Sequence, residues 1–134
     1  MFKKILIVIL IILFLAFLIF KKSSSNNFYQ IKINGKKYSL LTAKNPQEWQ
    51  KGLMFYKNKK ELNGADGMVF IFPDKDYRTF WNQDTYLDLD IYWLVDGKVV
   101  GKDFLPSILK SEEIVTVSSK EKVNQVVEII RTEP

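Results

Sequence analysis

The sequence predicts a mainly β domain of the β-rich α+β type, a small sandwich or partly closed barrel with one short helix, preceded by a single N-terminal transmembrane helix. Three observations predict it. Residues 5–20 form an uninterrupted apolar run long enough to approach the thickness of a bilayer. Two Asx-Gly pairs, Asn34-Gly35 and Asp96-Gly97, each separate β-prone segments, as hairpin turns do. Residues 87–95 alternate with the period of a strand.

Composition sets the outer limits. A chain of 134 residues holds one modest domain and a short appendage. Hydrophobic content of 47% with 14% aromatic residues supplies enough apolar surface to offset the entropy lost on folding, which excludes a disordered chain. The net charge is +5, but Lys3, Lys4, Lys21 and Lys22 bracket the apolar run. Setting those four aside leaves 16 basic against 15 acidic side chains, so no basic face remains for nucleic acid. Cysteine and histidine are both absent. That removes disulfides, thiol nucleophiles, serine-histidine relays and the usual transition-metal sites, and no cofactor is implied.

The elements follow in order. Residues 5–20, "ILIVILIILFLAFLIF", span about 24 Å as a helix, and the flanking lysines extend their charged heads to the interface. Their Ile, Leu, Val and Phe side chains favour insertion by about 4 to 9 kcal/mol. Lys21 and Lys22 stand where a cleavage site would need small residues, so a retained anchor is expected over a removed signal peptide. Residues 1–22 are thus a membrane anchor with basic flanks, 23–27 ("SSSNN") a polar linker, and 28–134 the globular domain. With so few residues before the helix, the expected location is the cell membrane, single-pass, with the C-terminal domain extracytoplasmic.

Residues 28–33 and 37–43 flank Asn34-Gly35 as a first hairpin. In "NPQEWQKGLM", Asn45 is the N-cap, Pro46 the first helical residue and Gly52 the stop. Residues 68–72, "MVFIF", read as a doubly covered strand ending at Pro73. Along residues 87–95, Leu87, Leu89, Ile91, Trp93 and Val95 face the core, and Asp88, Asp90, Tyr92 and Leu94 face the other way. Residues 98–104, 114–117 and 126–131 complete the strands.

The blocks "GLM" at 52–54, "GMVFIFP" at 67–73, "FW" at 80–81, Thr85 and "LDIYWL" at 89–94 resemble the domain of unknown function 192 family. The resemblance covers most of residues 48–130. It implies a compact β-rich fold found in small, frequently exported or membrane-tethered proteins, with no established activity. Asn82 and Gln83 stand where that family usually shows Met-Lys, Asp84 replaces its Asn, and Asp88 its Pro. Whatever the family's lysine does, this chain does otherwise.

Candidate site residues cluster in "TFWNQDTYLDLDIYWL", residues 79–94. Asp84, Asp88 and Asp90, with Arg78 nearby, form a candidate acid/base or divalent-cation group; Asp88 and Asp90 would project about 7 Å apart from one strand face. Their repulsion at that distance is only about 0.6 kcal/mol in water, so an exposed pair needs no partner, and the solvated-face reading is preferred. Trp81 and Tyr92 are candidates for an aromatic recognition patch, with Trp81, Asp84, Asp90, Tyr92 and Arg78 as ligand-binding candidates. Trp93 and Phe70 are expected in the core, and Trp49 anchors the short helix. The leading expectation is a membrane-tethered binding or interaction module with an envelope glycan or protein as partner. The alternatives are an envelope hydrolase using the aspartates and a structural accessory domain.

Overall fold

The computed structural model describes residues 1–21 and 27–132 and, within the first segment, the side chains of 1 and 5–15. Helix α1 runs Phe2–Lys21. Among the described residues no helix is long and apolar enough to cross a membrane, and the side chains at 2–4 and 16–21 of α1 fall outside them. The expected linker over 23–27 also lies outside the described residues, apart from Asn27.

The rest is β-rich. Its strands are β1 (Tyr29–Ile33), β2 (Lys36–Ala43), β3 (Gly67–Asp76), β4 (Thr79–Trp81), β5 (Leu89–Val95), β6 (Lys98–Leu105), β7 (Thr116–Ser118) and β8 (Val123–Ile130). Helix α2 (Pro46–Lys51), a 3₁₀ turn (Lys59–Leu62) and α3 (Ile108–Ser111) lie between them. Asn34-Gly35 and Asp96-Gly97 form the predicted hairpins, β1–β2 and β5–β6. Asn34 and Gly35 have φ of +50° and +82°, and Asp96 and Gly97 +49° and +81°, the doubly positive turn whose twist matches paired strands. Helix α2 begins and ends as predicted: the Asn45 side chain accepts the Glu48 N–H at 3.0 Å, and Gly52 leaves the helix at φ +46°. This helix is the crossover that lets β2 and β3 run parallel.

Six strands form one sheet in the order β1-β2-β3-β8-β5-β6, and β4 pairs with β7 in a separate ribbon. The sheet curls into a half-barrel: β1 lies three places from β8, yet Gln125 on β8 donates to the Tyr29 hydroxyl at 3.5 Å. Of the two expected architectures, the partly closed barrel is the one found. Two apolar layers result. One holds Phe70, Ile91, Trp93 and Val126, with Trp49, Phe80 and Val117 packed over it. The other holds Leu40, Val69, Tyr92, Leu94 and Val127, covered by Tyr29 and Ile31 of β1.

That second layer corrects the reading of residues 87–95. Tyr92 and Leu94, which share the face of Asp88 and Asp90 opposite the expected core, are 6% and 0% exposed, because the curled β1–β2 hairpin covers the face they occupy. Strand β3 also runs past Pro73 to Asp76, where a stop was expected. Its pairing with β8 is broken between Ile71 and Asp76, so the missing N–H of Pro73 removes no ladder bond.

Candidate ligand pocket

A depression of about 420 Å³ opens on the Phe70 side of the sheet, between the end of α2, strand β3 and strand β4. Its size falls within the range of small-molecule sites. Alternate residues of β3 floor it, with Phe70 and Phe72 among its walls. Trp49 leans on Phe72 with ring centroids 4.9 Å apart, and Phe80 meets Phe70 edge-on at 4.8 Å. Trp49 is fixed by its indole N–H, which donates to the Ala43 carbonyl at 3.1 Å, and so anchors α2 as its sequence position suggests. Such edge and tilted contacts hold aromatic side chains in defined positions, so the walls are firm.

Glu128 also lines this pocket. It occupies β8 between Val126 and Ile130 of the same face, with Met68 on β3 and Ile91 on β5 directly opposite. All four neighbours are apolar, and Glu128 itself is only 4% exposed. Its carboxyl accepts a hydrogen bond from the Leu53 backbone N–H, while Oε2 has no partner. Burial pushes the carboxyl from its ordinary value of 4.5 up to about 8, against the smaller opposing pull of the Leu53 N–H. At neutral pH Glu128 is therefore a neutral acid, able to donate a hydrogen bond. Gly52 adjoins it: a Cβ there would stand in ordinary contact with Oε2, at 3.6 Å.

Arg78 lines the same pocket. Its side chain is 20% exposed and its guanidinium lies 4.0 Å over the Phe72 ring. Nη2 donates to the Asp74 carbonyl at 3.0 Å and to its carboxylate at 2.8 Å. Nε is buried without a partner. Two orphaned polar atoms, Glu128 Oε2 and Arg78 Nε, thus belong to one aromatic pocket, and an unmade buried hydrogen bond is costly.

The other expected site residues are dispersed. Trp81, 46% exposed, stands between this pocket and an open shelf that also includes Phe55, Gln83 and Asp84. Asp84 has φ +51°, and its carbonyl accepts the Phe55 N–H at 2.8 Å. Asp88 precedes β5 and accepts from the Ser107 N–H at 2.9 Å and from the Lys110 ammonium. Partial burial opposes its ionisation, but Lys110 and Ser107 outweigh that and hold the carboxyl below its ordinary 3.8. Asp90 instead meets Arg131 at 2.5 Å and Lys102 at 3.4 Å. Buried Tyr92 carries the Lys102 ammonium 5.2 Å over its ring. Among the described residues no group of three or more Asp or Glu side chains is placed to hold a metal ion. Arg78 and Trp81 therefore share one pocket, and Asp84 adjoins it across Trp81. Asp88, Asp90 and Tyr92 stand apart from it.

Glu128 was not among the expected site residues. Its signal was present in "VVEII", where one acid shares strand parity with Val126 and Ile130 and so points at the core.

The sequence pattern of the domain of unknown function 192 family, DUF192, described as "Uncharacterized ACR", matches residues 29–132. No curated protein matches the chain. Two crystal structures share its fold. One, a Sinorhizobium meliloti 1021 protein provisionally named a transcription regulator, has a TM-score of 0.58 at 26% identity over 75% of this chain and 76% of its own. The other, a protein of unknown function from Novosphingobium aromaticivorans DSM 12444, has a TM-score of 0.61 at 22% identity over 75% of this chain and 70% of its own. With the family pattern running from the first strand to beyond the last, the chain belongs to the DUF192 family of uncharacterised proteins.

Proposed function

We propose that this protein is a membrane-tethered binding module whose domain lies outside the cytoplasm and takes a small ligand in the Glu128 pocket. The observation that carries the reading is Glu128 itself: a buried carboxyl in a concave aromatic site, with one oxygen unpartnered. Such a group costs stability unless something else is gained, and a ligand oxygen is what it lacks. The tether rests on α1. Its apolar side chains at 5–15 are all between 48% and 61% exposed, and lipid is the medium that would take up that surface. The near balance of charge beyond the anchor argues against nucleic acid as the partner.

Binding is preferred over hydrolysis because two-carboxylate chemistry needs a second acid within about 10 Å of the first, and no Asp and no other Glu lines this pocket. The test is a fragment screen against the full chain in lipid nanodiscs, followed by the NMR signals of the indole N–H groups. Trp49 and Trp81 line the pocket and Trp93 does not. Saturable shifts confined to Trp49 and Trp81 are expected. A screen that moves neither signal would remove the binding reading. For the tether, protease added to intact spheroplasts should digest the domain, and full protection would reverse the orientation.

A further inference from the structure

The residues that carry the two orphaned polar atoms are anchored at different levels of the sheet. Glu128 is paired with Met68, whereas Arg78 stacks on Phe72, four residues farther along β3. At about 3.3 Å per residue that is about 13 Å of strand. Phe70 lies midway on the same face, with the Phe80 ring edge against it. The pocket is thus a trough with an aromatic middle and a hydrogen-bonding group toward each end.

Those ends differ in chemistry. Arg78 offers a charged donor, Nε, and charged donors bond anionic oxygens most strongly. Its Nη2 is already held by Asp74. Nε and the two N–H groups of Nη1 remain to pair with a carboxylate, and a dianionic phosphate there would be repelled by Asp74 about twice as strongly as a single negative charge. The nearest other cation of the lining, Lys51, lies over the Tyr56 ring at 5.6 Å. At the far end, the Glu128 carboxyl accepts from the Leu53 N–H while its buried Oε2 has no partner, so that end calls for an uncharged oxygen such as a hydroxyl or carbonyl.

Building on the proposed binding pocket, we infer that its ligand is a slender aromatic monocarboxylate, its ring among the half-buried Trp49, Phe72 and Phe80, its carboxylate at Arg78 and an uncharged oxygen at Glu128. The aromatic walls favour a ring over an alkyl chain because ring edges and faces gain from offset contact beyond simple burial.

Four probes test this by calorimetric titration of the full chain in nanodiscs at pH 6.5, with empty nanodiscs as the blank: 4-hydroxycinnamate, cinnamate, 4-hydroxycinnamamide and octanoate. 4-Hydroxycinnamate should bind most tightly. Loss of the hydroxyl and replacement of the carboxylate by the amide should each weaken binding about tenfold, and octanoate should bind more weakly still. Arg78→Gln should erase the difference between acid and amide, and Glu128→Leu the difference between hydroxylated and plain cinnamate. The comparisons within the wild-type protein stand even if a variant fails to fold. Equal affinity for acid and amide, indifference to the hydroxyl, or octanoate binding as well as the ring compounds would overturn the inference. If other fragments shift the Trp49 and Trp81 signals while these carboxylates do not, this inference falls and the pocket reading survives. If nothing shifts them, both fall.

Discussion

A Cβ on Gly52 would stand 3.6 Å from Oε2 of Glu128 and 3.0 Å from Cζ of Phe70. The residue that ends helix α2 therefore also leaves space for the Phe70 ring. Gly52→Ala meets two obstacles: the backbone has φ +46°, which L-residues adopt with strain, and the methyl group crowds Phe70. Urea unfolding should show a loss of about 1 to 3 kcal/mol. Unchanged stability would mean that Phe70 and the backbone relax freely there.

Glu128 ties stability to pH with a definite sign. Its carboxyl is raised from 4.5 to about 8, so between those values the folded protein holds a proton that the unfolded chain releases. The contribution is complete below pH 4.5 and is lost as pH rises through about 8. Glu128→Gln keeps the shape without the proton. From pH 5 to 8 the stability of the variant relative to wild type should therefore rise, by at most about 1.4 kcal/mol per pH unit. Thermal unfolding of both proteins across that range is the check, and a constant gap would show that Glu128 is ionised and solvated.

Asn82 holds together three segments that share no strand. It is fully buried, its amide donates to the Pro106 carbonyl at 2.9 Å and the Ser111 hydroxyl at 2.8 Å, and its carbonyl accepts the Val115 N–H at 2.8 Å. Asn82→Ala strands the Pro106 carbonyl and the Val115 N–H, while the Ser111 hydroxyl keeps the Glu113 carbonyl at 2.7 Å, and denaturant midpoints should fall by an amount equivalent to about 2 to 4 kcal/mol. A loss below about 0.5 kcal/mol, the level of ordinary surface changes, would mean that water replaces the amide.

Asp88 acts in the opposite pH direction from Glu128. Lys110 and the Ser107 N–H hold its carboxyl below 3.8, so its contribution is present above that value and lost as pH falls through the folded one. Asp88→Asn should be less stable than wild type at pH 7, and the gap should narrow in acid. An acid titration of unfolding midpoints that leaves the gap constant would assign Asp88 no electrostatic role.

Local chemistry was readable in the sequence wherever the cause was local. Asn34-Gly35, Asp96-Gly97 and the Asn45-Pro46 cap each act through bonds to near neighbours in the chain, and each stands where it was expected. Period-2 alternation also identified the core face of β5, with Trp93 at 2% exposure. What alternation could not reveal was that the opposite face is covered too, because the cover is β1, some sixty residues earlier in the sequence. The same limit applies to the site. Arg78 and Trp81 were named for their chemistry, but Glu128 sat in a run read as a closing strand. Its partner Leu53 lies on the far side of the fold in sequence terms, and only the sheet order brings the two together.

Strand β8, the last in chain order, sits between β3 and β5 and pairs antiparallel with both. Neither half of the sheet has its neighbour until residues 123–130 arrive. On the ribosome, where earlier segments emerge first, the hairpins can form but the two halves cannot join. Assembly of this domain therefore waits on β8, and until that strand pairs the nascent chain presents two unmatched strand edges, those of β3 and β5, to whatever surrounds it.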